Sequence, residues 1–287
     1  MKATSFIFLV LAAILLFGGI VTCSLAETMA KAQNISIFEQ TKDENGNSVY
    51  VYKLTDEKLS KLNLNFSDVD VTIVGSAKES YVELKNFSPY DYATTLSGTT
   101  VTVDGTVSGL SSVIDLSGGG LRFKGLRYLF TEKLDKNAKR SVTVYISDAC
   151  DISSLSLNLD KGSVTFNNIY NKVDYNVSVH SGNVTFNTVN TESVINLDVN
   201  SGDIIVENTE CITFNANLAS CRLSLDLTQY NYNYISYNIK TENSSVVHNG
   251  GLDDDGQFKV TVSTDLQKNM VKIDAIDSEI VLYDGAP

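Results

Sequence analysis

Apolar and polar residues alternate along much of this chain, and the alternation itself recurs. "LDKGSVTFN" (159–167), "VHSGNVTFN" (179–187) and "VNSGDIIVE" (199–207) align on Gly162, Gly182 and Gly202, spaced 20 residues apart. Three, five and seven residues before the glycines stand Leu159, Val179 and Val199, then Leu157, Val177 and Leu197, then Leu155, Tyr175 and Ile195. Two and four residues after them stand Val164, Val184 and Ile204, then Phe166, Phe186 and Val206. The positions between are mostly Ser, Asn, Asp, Thr or Glu. A period of two predicts strands with one buried and one wet face. The glycine between each pair of strands marks a corner whose backbone disfavours a Cβ.

Further copies are legible. In "NANLASCRLSLD" Cys221 takes the glycine place, with Leu218 before it and Leu223 and Leu225 after. In "VKIDAIDSEIVLY" Val271, Ile273 and Ala275 precede Ser278, and Ile280 and Leu282 follow. "YISYNIKTENSSVV" fits only with two extra turn residues, placing Ile235, Tyr237 and Ile239 in the slots of Ile195, Leu197 and Val199. An early copy lies in "KLNLNFSDVDVTIV", with Leu62, Leu64 and Phe66 before the turn and Val71 and Ile73 after it. A repeat of about twenty residues cannot bury its own apolar face, so copies must stack. The expectation is an all-β fold, a parallel β-solenoid of about 20-residue coils whose like residues lie over one another about 4.8 Å apart. "DENGNSVYVYKL" predicts a hairpin turning at Asn45-Gly46.

The N-terminus changes the setting. No charge occurs between Lys2 and Glu27, a run of 24 residues, long enough as a helix to cross a bilayer. An uncleaved anchor through residues 4–26 is the first reading. A secretory signal cleaved near Ala26 competes with it, since Ser24 and Ala26 are small residues at the right offsets. A lipoprotein site at Cys23 is the third, with Thr22 a poor residue before it. Each exports the rest of the chain, giving a single-pass membrane protein with an extracytoplasmic β domain or a secreted one. The expected division is a membrane segment over 1–32, a less regular β region over 33–150 and regular coils over 151–287.

The order of segments is specific where each motif alone is weak. A membrane segment precedes "LNLNFSDVDVTIV", "SYVELKNFSPYDY", "GLRFKGLRYLF" and "SVTVYIS", and "SGNVTF" and "SGDIIV" coils follow. Over residues 60–287 this resembles the bacterial putative-adhesin family of domains of unknown function. The resemblance implies a β-solenoid facing the outside of the cell and brings no catalytic residues with it.

Candidate chemistry is sparse. With 22 basic against 34 acidic residues, nucleic acid is excluded as a partner, because phosphate affinity begins with Lys and Arg. The two histidines, His180 and His248, form no metal-ligand spacing. Asp253, Asp254 and Asp255 lack the spacing of a calcium loop, so no metal or cofactor is expected. Cys150, Cys211 and Cys221 form no CxxC pair and read as free, buried thiols. Acidic residues at the outward places after the turn are limited to Glu207 and Asp226, thin material for sugar hydrolysis.

Two exposed features suggest binding. Arg122, Lys124 and Arg127 open a basic island, continued by Lys133, Lys136, Lys139 and Arg140, that could meet an anionic polymer or pair with the acidic body. In "YNYNYISY" Tyr230, Tyr232 and Tyr234 share one parity and, on a continuing strand, form a row of rings able to stack on a sugar chain. A corner there would make the rings a covered coil edge instead. The function expected is a non-catalytic cell-envelope module, adhesin-like or structural, with cell-wall polysaccharide or another envelope protein as partner. A polysaccharide-acting β-helix enzyme and a spacer or envelope-stress sensor are the alternatives.

Overall fold

The computed structural model describes residues 39–54, 59–88, 91–106, 114–115, 122–123, 134–135, 138–190, 192–227, 235–249, 251–253, 257–258 and 269–283. Among the described residues every regular element is a strand. β1 (Glu39–Lys42) and β2 (Ser48–Lys53) are followed by the pair β3 (Lys61–Asp68) and β4 (Asp70–Ala77). β5 (Tyr81–Lys85), β6 (Ala93–Ser97), β7 (Thr100–Asp104), β8 (Ile114–Asp115), β9 (Arg122–Phe123) and β10 (Ser141–Ser147) come next. Four coils then run in order: β11 (Ser154–Lys161) with β12 (Val164–Ile169), β13 (Asp174–Ser181) with β14 (Val184–Asn190), β15 (Val194–Val199) with β16 (Gly202–Glu210), and β17 (Thr213–Ala219) with β18 (Cys221–Asp226). The rest are β19 (Ile235–Glu242), β20 (Ser245–His248), β21 (Gly251–Asp253), β22 (Gln257–Phe258), β23 (Asn269–Ile276) and β24 (Glu279–Tyr283).

Each coil gives one strand to each of two large sheets, of 12 and 10 strands, whose central pairings are parallel. Register follows the repeat. Val164 pairs with Val184 and Val184 with Ile204, while Phe166 pairs with Phe186 and Phe186 with Val206. All six are fully buried. Thr165 and Thr185 between them are half-buried on the outer face, and Ile205 is exposed. The early copy takes its expected place beside β11 and β12, with Leu62, Leu64 and Phe66 opposite Leu155, Leu157 and Leu159, and Val71 opposite Val164. The core lies between the sheets. There the rings of Phe166 and Phe186 stack at 4.4 Å, with Tyr175 edge-on to Phe166 at 5.3 Å.

The corner glycines are required by contact as well as by backbone angle. Gly162, Gly182 and Gly202 have φ of +140°, +152° and +143°. A Cβ on Gly182 would lie 1.6 Å from the carbonyl oxygen of Gly162, and one on Gly202 would lie 1.9 Å from that of Gly182. Cys221 does pair with Gly202 in this column. There the turn is taken one residue earlier, by Ser220 at φ 54°.

Two expectations change. Chain order is not stacking order: β23 pairs with β17 on one edge and β19 on the other, and β24 lies between β18 and β20. The coil 269–283 therefore separates two coils that precede it in sequence. The register of β19 also moves by two residues. Ile239 pairs with Ile273, which pairs with Ala216, itself opposite Leu197. Ile239 thus holds the slot of Leu197, and Thr241 that of Val199. No extra turn residues are needed, because the spacing from Thr241 to Val246 matches that from Leu218 to Leu223. A slip of two preserves the inward parity, so an apolar-only pattern passes over the polar Thr241 at an inward place.

Antiparallel strands close both ends. The hairpin of β1 and β2 turns through Asp43–Asn47 as expected, Gly46 at φ 76° and the Asp43 carboxylate accepting the Asn45 and Asn47 N–H groups. β2 and β10 both pair antiparallel with β5, β6 with β7, β21 with β20, and β22 with β19.

Phe186→Ala should cost about 3–5 kcal/mol, from lost burial and the cavity left between stacked rings; Thr185→Ala should cost little. Gly182→Ala should lower the melting temperature far more than Gly98→Ala, because Gly98 also has positive φ but has no atom within 4 Å of a new Cβ. Equal shifts for the two glycines would show that close coil packing is not what fixes the corner.

Candidate functional site

Alternation leaves every second side chain of each strand on an outer face, and stacking turns like residues into columns. On the 10-stranded sheet Asn176, Asn196 and Asn215 are register partners. The Asn196 amide donates to Asn176 at 2.8 Å and the Asn215 amide to Asn196 at 2.7 Å. A second column has the Asn158 amide donating to Asn65 at 2.8 Å. On the 12-stranded sheet Asn187 donates to Asn167 at 3.1 Å. Thr143, Thr72, Thr165 and Thr185 form a row on four adjacent strands. Amide ladders of this kind tie neighbouring strands while leaving amide groups directed outward. The signal lies in the outward places of the same repeat, where Ser, Thr and Asn recur at matching positions.

Charge gathers toward the later coils. Glu207 and Asp226 directly follow the register partners Val206 and Leu225, so two carboxylates sit at one level on neighbouring strands. Arg222 lies 3.4 Å from Glu279 on the next strand. These two side chains border an open groove of about 730 Å³ that crosses the coil corners, lined also by Ser220, Cys221, Ser244 and Ser278. Beneath it runs a relay. The Ser278 N–H donates to the Ser244 hydroxyl at 2.9 Å and the Cys221 N–H to the Ser278 hydroxyl at 3.0 Å. The Cys221 thiol donates to the Val199 and Ala219 carbonyls, each at 3.2 Å. The groove offers hydroxyls and one ion pair, which suits hydrogen bonding to a polar ligand.

The residues expected to bind fall largely elsewhere. Tyr230, Tyr232 and Tyr234 lie outside the described residues, as do Lys124, Arg127 and the segment 4–26. Arg122 sits in β9, opposite Asp115 of β8. Of the rest of the basic island, Lys139 reaches Asp70 at 2.7 Å and Arg140 reaches Asp91 at 2.8 Å, with the Arg140 guanidinium also 5.4 Å from the centre of the Phe87 ring. These two cations pair with the acidic body. His180 is exposed beside Asn200, their side chains 3.0 Å apart. Cys150, Cys211 and Cys221 are free, and burial pushes the Cys211 thiol up to about 12, so it stays protonated and unreactive.

A family model, Toastrack DUF4097, matches residues 59–282. The chain belongs to this family. Three solved structures are similar to the Toastrack chain. A putative cell adhesion protein from Clostridium sporogenes shares 14% identity, covers 85% of this chain and 99% of its own, and has a TM-score of 0.46. A putative adhesin from Parabacteroides distasonis shares 13% over 82% and 98%, with a TM-score of 0.33. A putative lipid binding protein from the same organism shares 13% over 84% and 96%, with a TM-score of 0.31. Comparison with the curated proteins gives no match.

In this Toastrack domain Asp70 joins three segments. Its carboxylate accepts from Lys139 and from both the N–H and the hydroxyl of Ser163. Burial alone would raise its pKa, but the hydrogen bonds from Lys139 and Ser163 and the Lys139 charge outweigh burial and hold it below the ordinary aspartate value. A carboxyl depressed in the folded state contributes stability above its unfolded pKa, and the contribution is lost as pH falls through the folded value. Asp70→Asn should therefore lower the urea midpoint at neutral pH, and its deficit relative to wild type should shrink in acid. A deficit that does not change with pH would show that the Asp70 charge is not what matters.

Proposed function

We propose that this protein is a non-catalytic module of the cell envelope: a rigid β-solenoid held at the membrane by residues 4–26 and displayed outside it, presenting flat polar faces to wall polysaccharide or to another envelope protein. The observation that carries this reading is the set of asparagine ladders on the outer faces. Their amides are hydrogen-bonded to one another along the stack. They hold coils in register and present a repeating polar surface, rather than converging on one reacting centre. Such a surface suits a repeating polar polymer, and Tyr230, Tyr232 and Tyr234, on the connection into β19, would add rings for sugar stacking.

A second reading, a polysaccharide-acting enzyme, has one observation in its favour: the adjacent carboxylates of Glu207 and Asp226. Hydrolysis by two carboxyl groups needs them on either side of a scissile bond. Release of reducing ends by wild type, lost in Glu207→Gln, would establish it.

Wild-type protein should be retained by insoluble wall polysaccharide in a pull-down. Replacing Tyr230, Tyr232 and Tyr234 together with serine should abolish retention and leave the melting temperature nearly unchanged. No retention of wild type would leave the spacer role. A large loss of stability in the triple variant would make the rings packing groups.

A further inference from the structure

The corner column changes character after Gly202, and the open groove lies at the change. At Gly162, Gly182 and Gly202 a carbonyl oxygen of the neighbouring coil stands 1.6 to 1.9 Å from where a Cβ would be, so backbone closes these corners. From Cys221 onward the left-handed residue comes one place earlier, at Ser220, Asp277 and Asn243, with φ of 54°, 49° and 50°. All three are exposed and line the groove. Asp203, Arg222, Glu279 and Ser245, register partners on four adjacent strands, line it with them. Ser244 and Ser278 beneath are buried and held by the hydroxyl relay. A repeat that served only to fill length could keep its glycine corner throughout. Here the glycine is given up at three neighbouring corners, and a groove of about 730 Å³ lies across them, within the size range of ligand sites.

The lining decides what fits. Apart from Cys221 it holds no apolar side chain, which disfavours a lipid tail or an apolar peptide. Three carboxylates stand against one guanidinium, which disfavours a phosphate-bearing polymer. The remaining groups are mixed in sense. Arg222 only donates, the carboxylates only accept, and the serine hydroxyls and the Asn243 amide do both. Sugar hydroxyls match such a set, because each donates to a carboxylate while accepting from a guanidinium. Arg222 and Glu279 are 3.4 Å apart with side chains 63% and 46% exposed. An exposed pair of this kind adds little stability, so a ligand shares it at small cost. From Asp203 to Ser245 the row crosses three strand spacings, roughly 14 Å, which suits a short run of sugar units.

We propose that this groove binds an uncharged stretch of polysaccharide, its hydroxyls bridging Arg222 and the carboxylates of Asp203 and Glu279. The inference rests on the wall-polysaccharide reading and deepens it, adding a site at the coil corners to the outer faces and limiting its ligand to neutral chains. A long insoluble polymer engages faces and corners together, whereas a short soluble chain reports the groove by itself.

The test uses oligosaccharides released from wall polysaccharide and separated by anion exchange into neutral and phosphate-bearing pools. Each pool is titrated calorimetrically into the full chain in detergent. The neutral pool should bind and the anionic pool should not. Arg222→Ala should weaken binding about tenfold or more, the loss expected of a hydrogen bond to a charged group. Ser245→Trp, which fills the groove from a strand position, should weaken it at least as much. Lys172→Ala, which removes an exposed cation on the connection between β12 and β13, should leave binding unchanged. Melting temperatures of all three variants should stay near that of wild type. Binding that survives both groove variants, or that favours the anionic pool, overturns the groove and leaves the wider reading standing. Retention of wild type on insoluble polysaccharide without binding of the neutral pool also overturns the groove alone. Failure of both retention and binding overturns the two together.

Discussion

Backbone lies against backbone at the corners of this fold, and the rest of the structure follows from that approach. The carbonyl oxygen of one coil stands where a Cβ of the next would be, at Val69 beneath Gly162, Gly162 beneath Gly182 and Gly182 beneath Gly202. The glycine's conformational freedom is needed there, but the missing side chain matters as much. Once corners approach this closely, successive strands can pair in parallel without offset. Leu then stacks on Val and Phe on Phe, and the outward amides come within hydrogen-bonding reach. The buried columns and the polar ladders are two faces of one constraint.

The same constraint explains how the column dispenses with glycine. In the glycine corners each corner N–H donates to the next coil's backbone: Gly162 to Ser181 at 3.1 Å and Gly182 to Ser201 at 2.9 Å. From Cys221 onward the acceptor is a side chain: the Ser278 hydroxyl takes the Cys221 N–H and the Ser244 hydroxyl takes the Ser278 N–H. The residues just before them, Ser220, Asp277 and Asn243, take the left-handed turn at φ near 50°. A small side chain with a polar atom replaces a carbonyl, and each closes back on its own strand, Cys221 to Ala219, Ser278 to Ile276 and Ser244 to Glu242. Cys221 thus serves as a weakly bonding serine. Its burial reflects that position rather than any redox role.

The columns were legible in the sequence because burial imposes period two and stacking imposes the twenty-residue repeat, and both leave apolar letters at fixed places. Leu62 and Ile280 could be placed on that basis although more than 200 residues separate them. What could not be read was the order of the later coils. Every coil offers the same inward parity, so 235–248 could stack on 213–226 as readily as 269–283 does. The choice depends on the fit of whole coils, which no local pattern records. The register of β19 is hidden for a related reason: Thr241 occupies an apolar slot. The left-handed places at Asn168, Thr188 and Asn208 were likewise invisible, since Thr188 is β-branched and poorly suited to that conformation. The candidate site was the least legible part. No single titratable residue marks it: the outer faces are built from neutral amides and hydroxyls whose meaning lies in their repetition.

A stack whose coils touch only their neighbours should gain stability coil by coil, with loosening confined to the ends. The inserted coil breaks that rule. Because 269–283 lies between 213–226 and 235–248, the last two levels cannot be lost one after the other in chain order. Fraying of β19 and β20 exposes β23 and β24, and release of β23 and β24 strands β19 and β20 without a neighbour on their inner side. The far end of the stack is therefore coupled to its middle by chain topology as well as by packing. The antiparallel strands β21 and β22 then cover the outer edges of β20 and β19, as β5 and β6 cover β10 and β7 at the other end. A one-dimensional repeat is in this way given two defined ends, and the stack stops growing where the strand direction reverses.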